Sequence, residues 1–230
     1  MTPAPLATAR LRLRPTAAAD ADAILDLFVD EATTRYWAHG PLADRAAAAA
    51  WIADCLAQRA RGELLDWVGE LADGSLAGIC YLGDLSLPNR RAEIGYAVHR
   101  DLVGRGLARE MVERILGHAF EDLALHRVEA DVDPRHDASL RLLARQGFVV
   151  EGRLRERWQA TGELQDSVLL GLLAPEWTGS ARGRDRDGAP LMPARPGRCG
   201  TGASRANAPA SGPGARTAGA SGRPVPDGAS

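Results

Sequence analysis

Residues 10–14, Arg10-Leu11-Arg12-Leu13-Arg14, alternate strictly between polar and apolar and stop at Pro15, which predicts a strand with one buried face. Residues 20–28 place Ala21, Ile24, Leu25 and Phe28 at helical spacing, and the alanine-rich residues 46–60 carry Trp51, Ile52 and Leu56 on one side of a second helix. Between them runs an aromatic loop, Thr34-Arg35-Tyr36-Trp37-Ala38-His39-Gly40-Pro41. Residues 64–71 and 76–82 read as strands joined by Ala72-Asp73-Gly74-Ser75, whose Asp-Gly step is a strong hairpin signal. A turn at Leu87-Pro88-Asn89 leads into a strand over residues 92–98. Beyond the glycines of residues 103–108, Leu107, Met111, Ile115 and Ala119 recur at helical spacing, with Ala108, Val112, Leu116 and Phe120 beside them. Residues 126–132 alternate again, residues 138–145 form a short helix closed by Gly147, and strands over 148–150 and 167–173 follow. The order is strand, two helices, three strands, helix, strand, helix, two strands. It predicts one α+β domain, with a mixed, largely antiparallel sheet, flanking helices and a central strand-helix-strand unit.

Composition sets the limits of that domain at residues 1–177. From Thr178 to Ser230 there is no aromatic residue, and Gly, Pro, Ala, Ser and Arg dominate, so the 178–230 segment is expected to be a disordered tail. The tail carries eight Arg against three Asp, whereas residues 1–177 carry twenty Arg against twenty-seven acidic residues; the overall −2 hides this asymmetry. An acidic folded part, with a basic tail that lacks interleaved aromatics, argues against nucleic-acid binding. Lysine is absent and arginine replaces it throughout, as a GC-rich coding bias would produce.

The start, Met1-Thr2-Pro3-Ala4-Pro5-Leu6, has no signal-peptide pattern, and no segment is long enough to span a bilayer, so no membrane association and a cytoplasmic location are expected. Cys55, Cys80 and Cys199 suggest neither a disulfide framework nor a zinc site, and the five histidines have no metal-ligand spacing; no metal is expected.

The chemistry concentrates in Ala92-Glu93-Ile94-Gly95-Tyr96-Ala97-Val98 and the following Val103-Gly104-Arg105-Gly106-Leu107-Ala108, a strand, glycine loop and helix. A helix opening on Gly104 and Gly106 offers uncrowded backbone N–H groups and a positive dipole end, which suits an anion such as phosphate. Glycines before helices are also ordinary turn punctuation. The loop lacks the third glycine of a dinucleotide fingerprint and the Gly-Lys-Ser/Thr ending of a Walker loop, so another phosphate ligand is implied.

Over residues 8–177 the chain resembles the GNAT superfamily of acetyl-CoA-dependent N-acetyltransferases, and within it the branch of ribosomal-protein N-terminal acetyltransferases. The resemblance is carried by Thr8-Ala9-Arg10-Leu11-Arg12-Leu13-Arg14-Pro15, Arg35-Tyr36-Trp37, Glu93-Ile94-Gly95-Tyr96 and the 103–108 loop. Asp137-Ala138-Ser139 through Arg145-Gln146-Gly147-Phe148, and Glu151-Gly152-Arg153-Leu154-Arg155, complete it. It implies acetyl-CoA as donor, bound by the backbone of Ala97 and Val98, by the pyrophosphate loop Val103, Gly104, Arg105, Gly106, Leu107 and Ala108, and by His136 and Ser139. It implies direct transfer to a primary amine, plausibly a protein N-terminal amine, by a monomer or homodimer. A small-molecule amine as acceptor, or a non-catalytic acyl-CoA sensor, are the alternatives.

Ser139 is the family-position candidate to assist the departing thiolate; a serine in a helix's first turn also commonly satisfies free backbone donors. Glu93 is the candidate general base, or else a surface carboxylate paired with Arg90 or Arg91, with Asp84 as an alternative base. Tyr36 and Trp37 are candidates for acceptor contact or for core packing. The chain departs from the family in having His136 for an asparagine, Leu143 for a tyrosine acid, and Ser75 where an acid is often found.

Overall fold

The alternating runs, the Asp-Gly hairpin and the segments around them become an eight-stranded sheet. In the computed structural model, which describes residues 2–37, 39–160 and 162–179, the strands are β1 (Leu6–Ala7), β2 (Arg12–Pro15), β3 (Leu65–Glu70), β4 (Leu76–Ser86), β5 (Arg91–Val98), β6 (Arg127–Val132), β7 (Val149–Ala160) and β8 (Glu163–Leu173). Their spatial order is β1-β2-β3-β4-β5-β6-β8-β7, and every neighbouring pair is antiparallel except β5 and β6. The helices are α1 (Ala21–Phe28), α2 (Glu31–Thr34), α3 (Arg45–Arg61), α4 (Leu107–Gly117) and α5 (Asp137–Arg145). The expected α+β architecture is the observed one. Most of the tail expected at 178–230 lies outside the described residues.

Because side chains alternate across a strand, the sheet divides two cores. Ile94 and Tyr96 of β5 and Val128, Ala130 and Val132 of β6 face α4, where they join Met111, Ile115 and Leu116. Ala97 of β5 and Ile79 and Tyr81 of β4 face the opposite side, with Ile24 and Phe28 of α1 and Trp51 and Ile52 of α3. α3 is bounded by local chemistry. The Asp44 carboxylate accepts from the Ala47 N–H at 2.8 Å, and Gly62 closes the helix at φ 76°.

Several boundaries differ from the sequence expectation. The strand expected over residues 10–14 is β2, which begins at Arg12 because Leu11 turns back onto Thr8, its N–H donating to Thr8 Oγ1 at 2.9 Å, and a short β1 precedes it. A turn of helix, α2, precedes the aromatic loop. β4 continues past Leu82 to Ser86 through an irregular register at Gly83/Ser86, where Asp84 takes φ 45°. Residues 151–166, expected as a connection, are mostly strand: β7 and β8 form one long hairpin. β7 is the sheet's outer strand, so its residues, Arg153 and Arg155 among them, are largely exposed and the hydrophobic alternation that marks a half-buried strand is missing. The long helix is α-helical to Gly117 and widens into a π turn over His118–Asp122.

Gly95 is required by close approach. A Cβ there would lie 2.1 Å from the ring of Tyr81, which packs directly over the Gly95 backbone. Gly95→Ala should therefore cost about 1–3 kcal/mol by displacing that ring, measured by urea unfolding. Met111, fully buried with its Sδ close over Gly69, ties α4 to the sheet. Met111→Ala should cost about 2–5 kcal/mol in the same assay.

Candidate active site

β5 and β6 hold together for three residue pairs only, Arg91/Arg127, Ala92/Val128 and Glu93/Glu129. Beyond Glu93, β5 stays with β4 while β6 stays with β8, and the sheet opens between them. His99 N–H donates to Ala77 O at 2.8 Å, so the antiparallel alternation directs the peptide groups of Ala97 toward β4. Those of Tyr96 and Val98 face the opening. Of the two residues expected to offer backbone to a ligand, Val98 is so placed, and Tyr96 takes the position expected of Ala97.

The opening leads into a cavity of about 130 Å³, whose walls include Tyr36, Trp37, Tyr81, Glu93, His136 and Ser139. The sequence candidates for catalysis and for acceptor contact are thus brought together. They do not share a face. Glu93 has the parity of Ala97 and lies on the α1–α3 side of the sheet, whereas Ser139, on α5, belongs to the α4 side.

The Glu93 carboxyl has no hydrogen bond or ion pair among the described residues. The arginines that sequence proximity suggested as partners are engaged elsewhere: Arg91 pairs with Glu129 at 2.8 Å, and Arg90 donates to Ala124 O at 2.9 Å. Burial pushes the Glu93 carboxyl up to about 8, reinforced by the negative charges of Asp131 and Asp84 and opposed by Arg157. The other carboxylates that line the cavity are paired: Asp131 with Arg157 at 2.7 Å, Asp133 with Arg135 at 2.6 Å, and Asp166 with Arg153 at 2.7 Å. Asp84 is not part of the cavity wall.

Ser139 is buried in the first turn of α5, but its hydroxyl does not cap the helix. It meets the Tyr96 hydroxyl at 2.8 Å across the opening. Burial pushes the Tyr96 phenol up to about 12, with the hydrogen bond from Ser139 acting the other way. Tyr96 keeps its proton and orients Ser139. The sequence quoted Tyr96 only as part of a motif; its partnership with a residue 43 positions on has no local signature.

Tyr36 stacks on His136 with ring centroids 4.4 Å apart, joining the aromatic loop to the start of α5. Burial lowers the His136 pKa, which favours the neutral imidazole with its one ring donor. Trp37 packs edge-on against Phe28 at 4.9 Å, as expected of a core aromatic, and also lines the cavity. Tyr81, which forms part of the cavity wall from β4, and Trp158, reaching in from β7, had no sequence signal as site residues.

Gly104 and Gly106 take φ 82° and 80°, the left-handed region glycine favours. Among the described residues the N–H groups of Gly104, Gly106, Leu107 and Ala108 find no backbone acceptor, while the Glu110 N–H donates to Gly106 O at 3.1 Å and starts the helical ladder. Val103 is exposed and Leu107 is buried in the core. Such a cradle fits a pyrophosphate.

Residues 10–149 match the acetyltransferase (GNAT) domain family. The uncharacterized N-acetyltransferase p20 of Bacillus licheniformis is 32% identical over 176 residues, covering 76% of this chain and 98% of its own length. The putative ribosomal N-acetyltransferase YdaF of Bacillus subtilis (strain 168) is 36% identical over 111 residues, 48% of this chain and 61% of its own. A spermidine N(1)-acetyltransferase of Vibrio cholerae is 31% identical over 111 residues, 48% and 64% respectively. The structure of Mycobacterium smegmatis RimJ in complex with CoA-disulfide superposes with a TM-score of 0.68 at 26% identity, covering 78% of this chain and 93% of that one. Opened sheet, glycine cradle and matched relatives agree: the chain belongs to the GNAT family and is an acetyl-CoA-dependent N-acetyltransferase.

Proposed function

We propose that residues 1–177 transfer the acetyl group of acetyl-CoA to the α-amine of a protein N-terminus, as in the ribosomal-protein branch of the family. The observation that carries this acceptor is the isolation of Glu93. Four carboxyl groups line the cavity and three are neutralised by arginine, which leaves Glu93 as the single group able to take a proton from one ammonium. A polyamine carries several cations and would call for several free carboxylates. Burial also raises the Glu93 carboxyl well above the ordinary carboxylate range, which suits it to take a proton from an amine.

In this mechanism the loop of Val103 to Ala108 holds the pyrophosphate of acetyl-CoA with backbone N–H groups, and Arg105 adds positive charge beside it. The pantetheine arm lies along the backbone of Tyr96 and Val98 as an added strand would, with His136 and Ser139 on its other side. The Val98 N–H donates to the thioester carbonyl oxygen. Glu93, as carboxylate, takes a proton from the acceptor ammonium, and the freed amine attacks the carbonyl carbon. Collapse of the tetrahedral intermediate breaks the C–S bond; Ser139, oriented by Tyr96, donates a hydrogen bond to the departing thiolate, which takes up the second proton lost by the acylated nitrogen, while the first leaves Glu93 to solvent. Tyr36 and Trp37 flank the acceptor. The net products are the amide, CoA thiol and one proton.

Thiol release from acetyl-CoA tests the acceptor. Peptides with a free N-terminus should be acetylated, and N-acetylated peptides containing lysine should not; kcat/KM for spermidine above that for every peptide would overturn the proposal. Glu93→Gln should lower kcat/KM by about 10²-fold or more. Ser139→Ala should lower kcat about tenfold and leave the CoA affinity, measured by calorimetric titration, near wild type.

Glu93 also makes stability depend on pH. Its folded-state pKa lies above the unfolded value of about 4.3, so the protonated form stabilises the fold below that value and the contribution is lost as pH rises through about 8. The Tm of the wild type should therefore fall between pH 5 and 9 relative to Glu93→Gln, which does not titrate. Parallel calorimetric profiles would place Glu93 in an ordinary exposed setting.

A further inference from the structure

The turn between β1 and β2 is tied to the glycine loop, nearly a hundred residues away, by one arginine. The Arg10 backbone N–H donates to Glu110 Oε1 at 2.7 Å, its Nε donates to Glu110 Oε2 at 2.7 Å, and its Nη1 donates to the carbonyl oxygen of Arg105 at 2.9 Å. The Thr8 hydroxyl also donates to Glu110 Oε1. Glu110 is the residue whose own N–H closes the first helical turn of α4 onto Gly106 O. Arg10 therefore grips both the loop and the first turn of the helix it opens.

Two consequences follow from elementary geometry and charge. In a trans peptide the C=O and the next N–H point in opposite directions, so a bond that turns the Arg105 carbonyl toward Arg10 turns the Gly106 N–H away from it. Glycine at 106 can otherwise take many conformations, and this bond selects one. Glu110, moreover, is a carboxylate within one turn of a helix N-terminus that must receive an anion. Left alone it would repel a phosphate; paired with Arg10 it does not.

We propose that Arg10 is a positioning residue for donor binding: it acts through the Arg105 carbonyl and Glu110 to hold the loop in its anion-receiving form, and does not itself touch the phosphates. The proposal rests on the assignment of the loop to the pyrophosphate, and the test separates the two. CoA and pantetheine, which lacks the pyrophosphate, are titrated calorimetrically against the full chain as wild type, Arg10→Ala and Arg10→Lys. Wild type should bind CoA at least a hundredfold more tightly than pantetheine; equal affinities would retire the pyrophosphate assignment and the role of Arg10 with it.

Given that preference, Arg10→Ala should bind CoA about tenfold more weakly and pantetheine as before, with the KM for acetyl-CoA raised and kcat unchanged. Arg10→Lys, able to meet Glu110 but not both partners at once, should fall between. The amide chemical shifts of Gly104 and Gly106 should also move in the unliganded Arg10→Ala protein, because the loop changes before any ligand arrives. Unaltered CoA affinity would overturn the proposal, as would equal losses for CoA and pantetheine, the mark of a general loss of fold. Weakened CoA binding with unmoved glycine shifts would overturn it too, since Arg10 would then be a direct phosphate ligand.

Discussion

The separation of β5 from β6 after three residue pairs is the constraint on which the rest of the structure depends. Two central strands that part company leave unpaired peptide groups in the middle of a sheet, a costly arrangement unless something satisfies them. Each strand is held from its other side, β5 by β4 and β6 by β8, so the opening persists without loosening the fold. Tyr81 occupies one side of the wedge, lying over Gly95, and the Tyr96–Ser139 hydrogen bond spans the other. The free groups of Tyr96 and Val98 are left for a ligand that can behave as a strand.

Charge is arranged around this opening by subtraction. The face that carries Glu93 also carries Glu129 and Asp131, and arginines are plentiful nearby, yet each reaches another acid: Arg91 and Arg127 go to Glu129, Arg127 also to Glu151, and Arg157 to Asp131. The paired acids still contribute negative potential, and the unpaired one absorbs it. A carboxylate whose proton is held near neutral pH results from what its neighbours are doing rather than from any single contact.

The sequence made legible what is local. The alternation of residues 126–132, the spacing of Met111 and Ile115, the Asp-Gly hairpin and the paired glycines all appear where the short-range pattern put them, because burial on one face or one turn's geometry is written within a few residues. Three features were not readable. The extension of the β7–β8 hairpin over residues 151–166 carries no hydrophobic period because its outer strand is exposed. The freedom of Glu93 depends on where Arg90 and Arg91 end up, which adjacency in sequence misstates. The Tyr96–Ser139 and Arg10–Glu110 pairs join segments 43 and 100 residues apart, and no window along the chain contains both partners. Motif resemblance singled out some of these residues; only the fold supplied their relations.

Glu93 and Ser139 stand on opposite faces of the sheet, with the opening as the passage between them. In the mechanism proposed above the sheet is then a partition with a slot, the donor threading it from one side and the acceptor meeting it from the other. Neither substrate lies across the other's route. Acetyl transfer then takes place within the slot, where the two faces of the sheet meet.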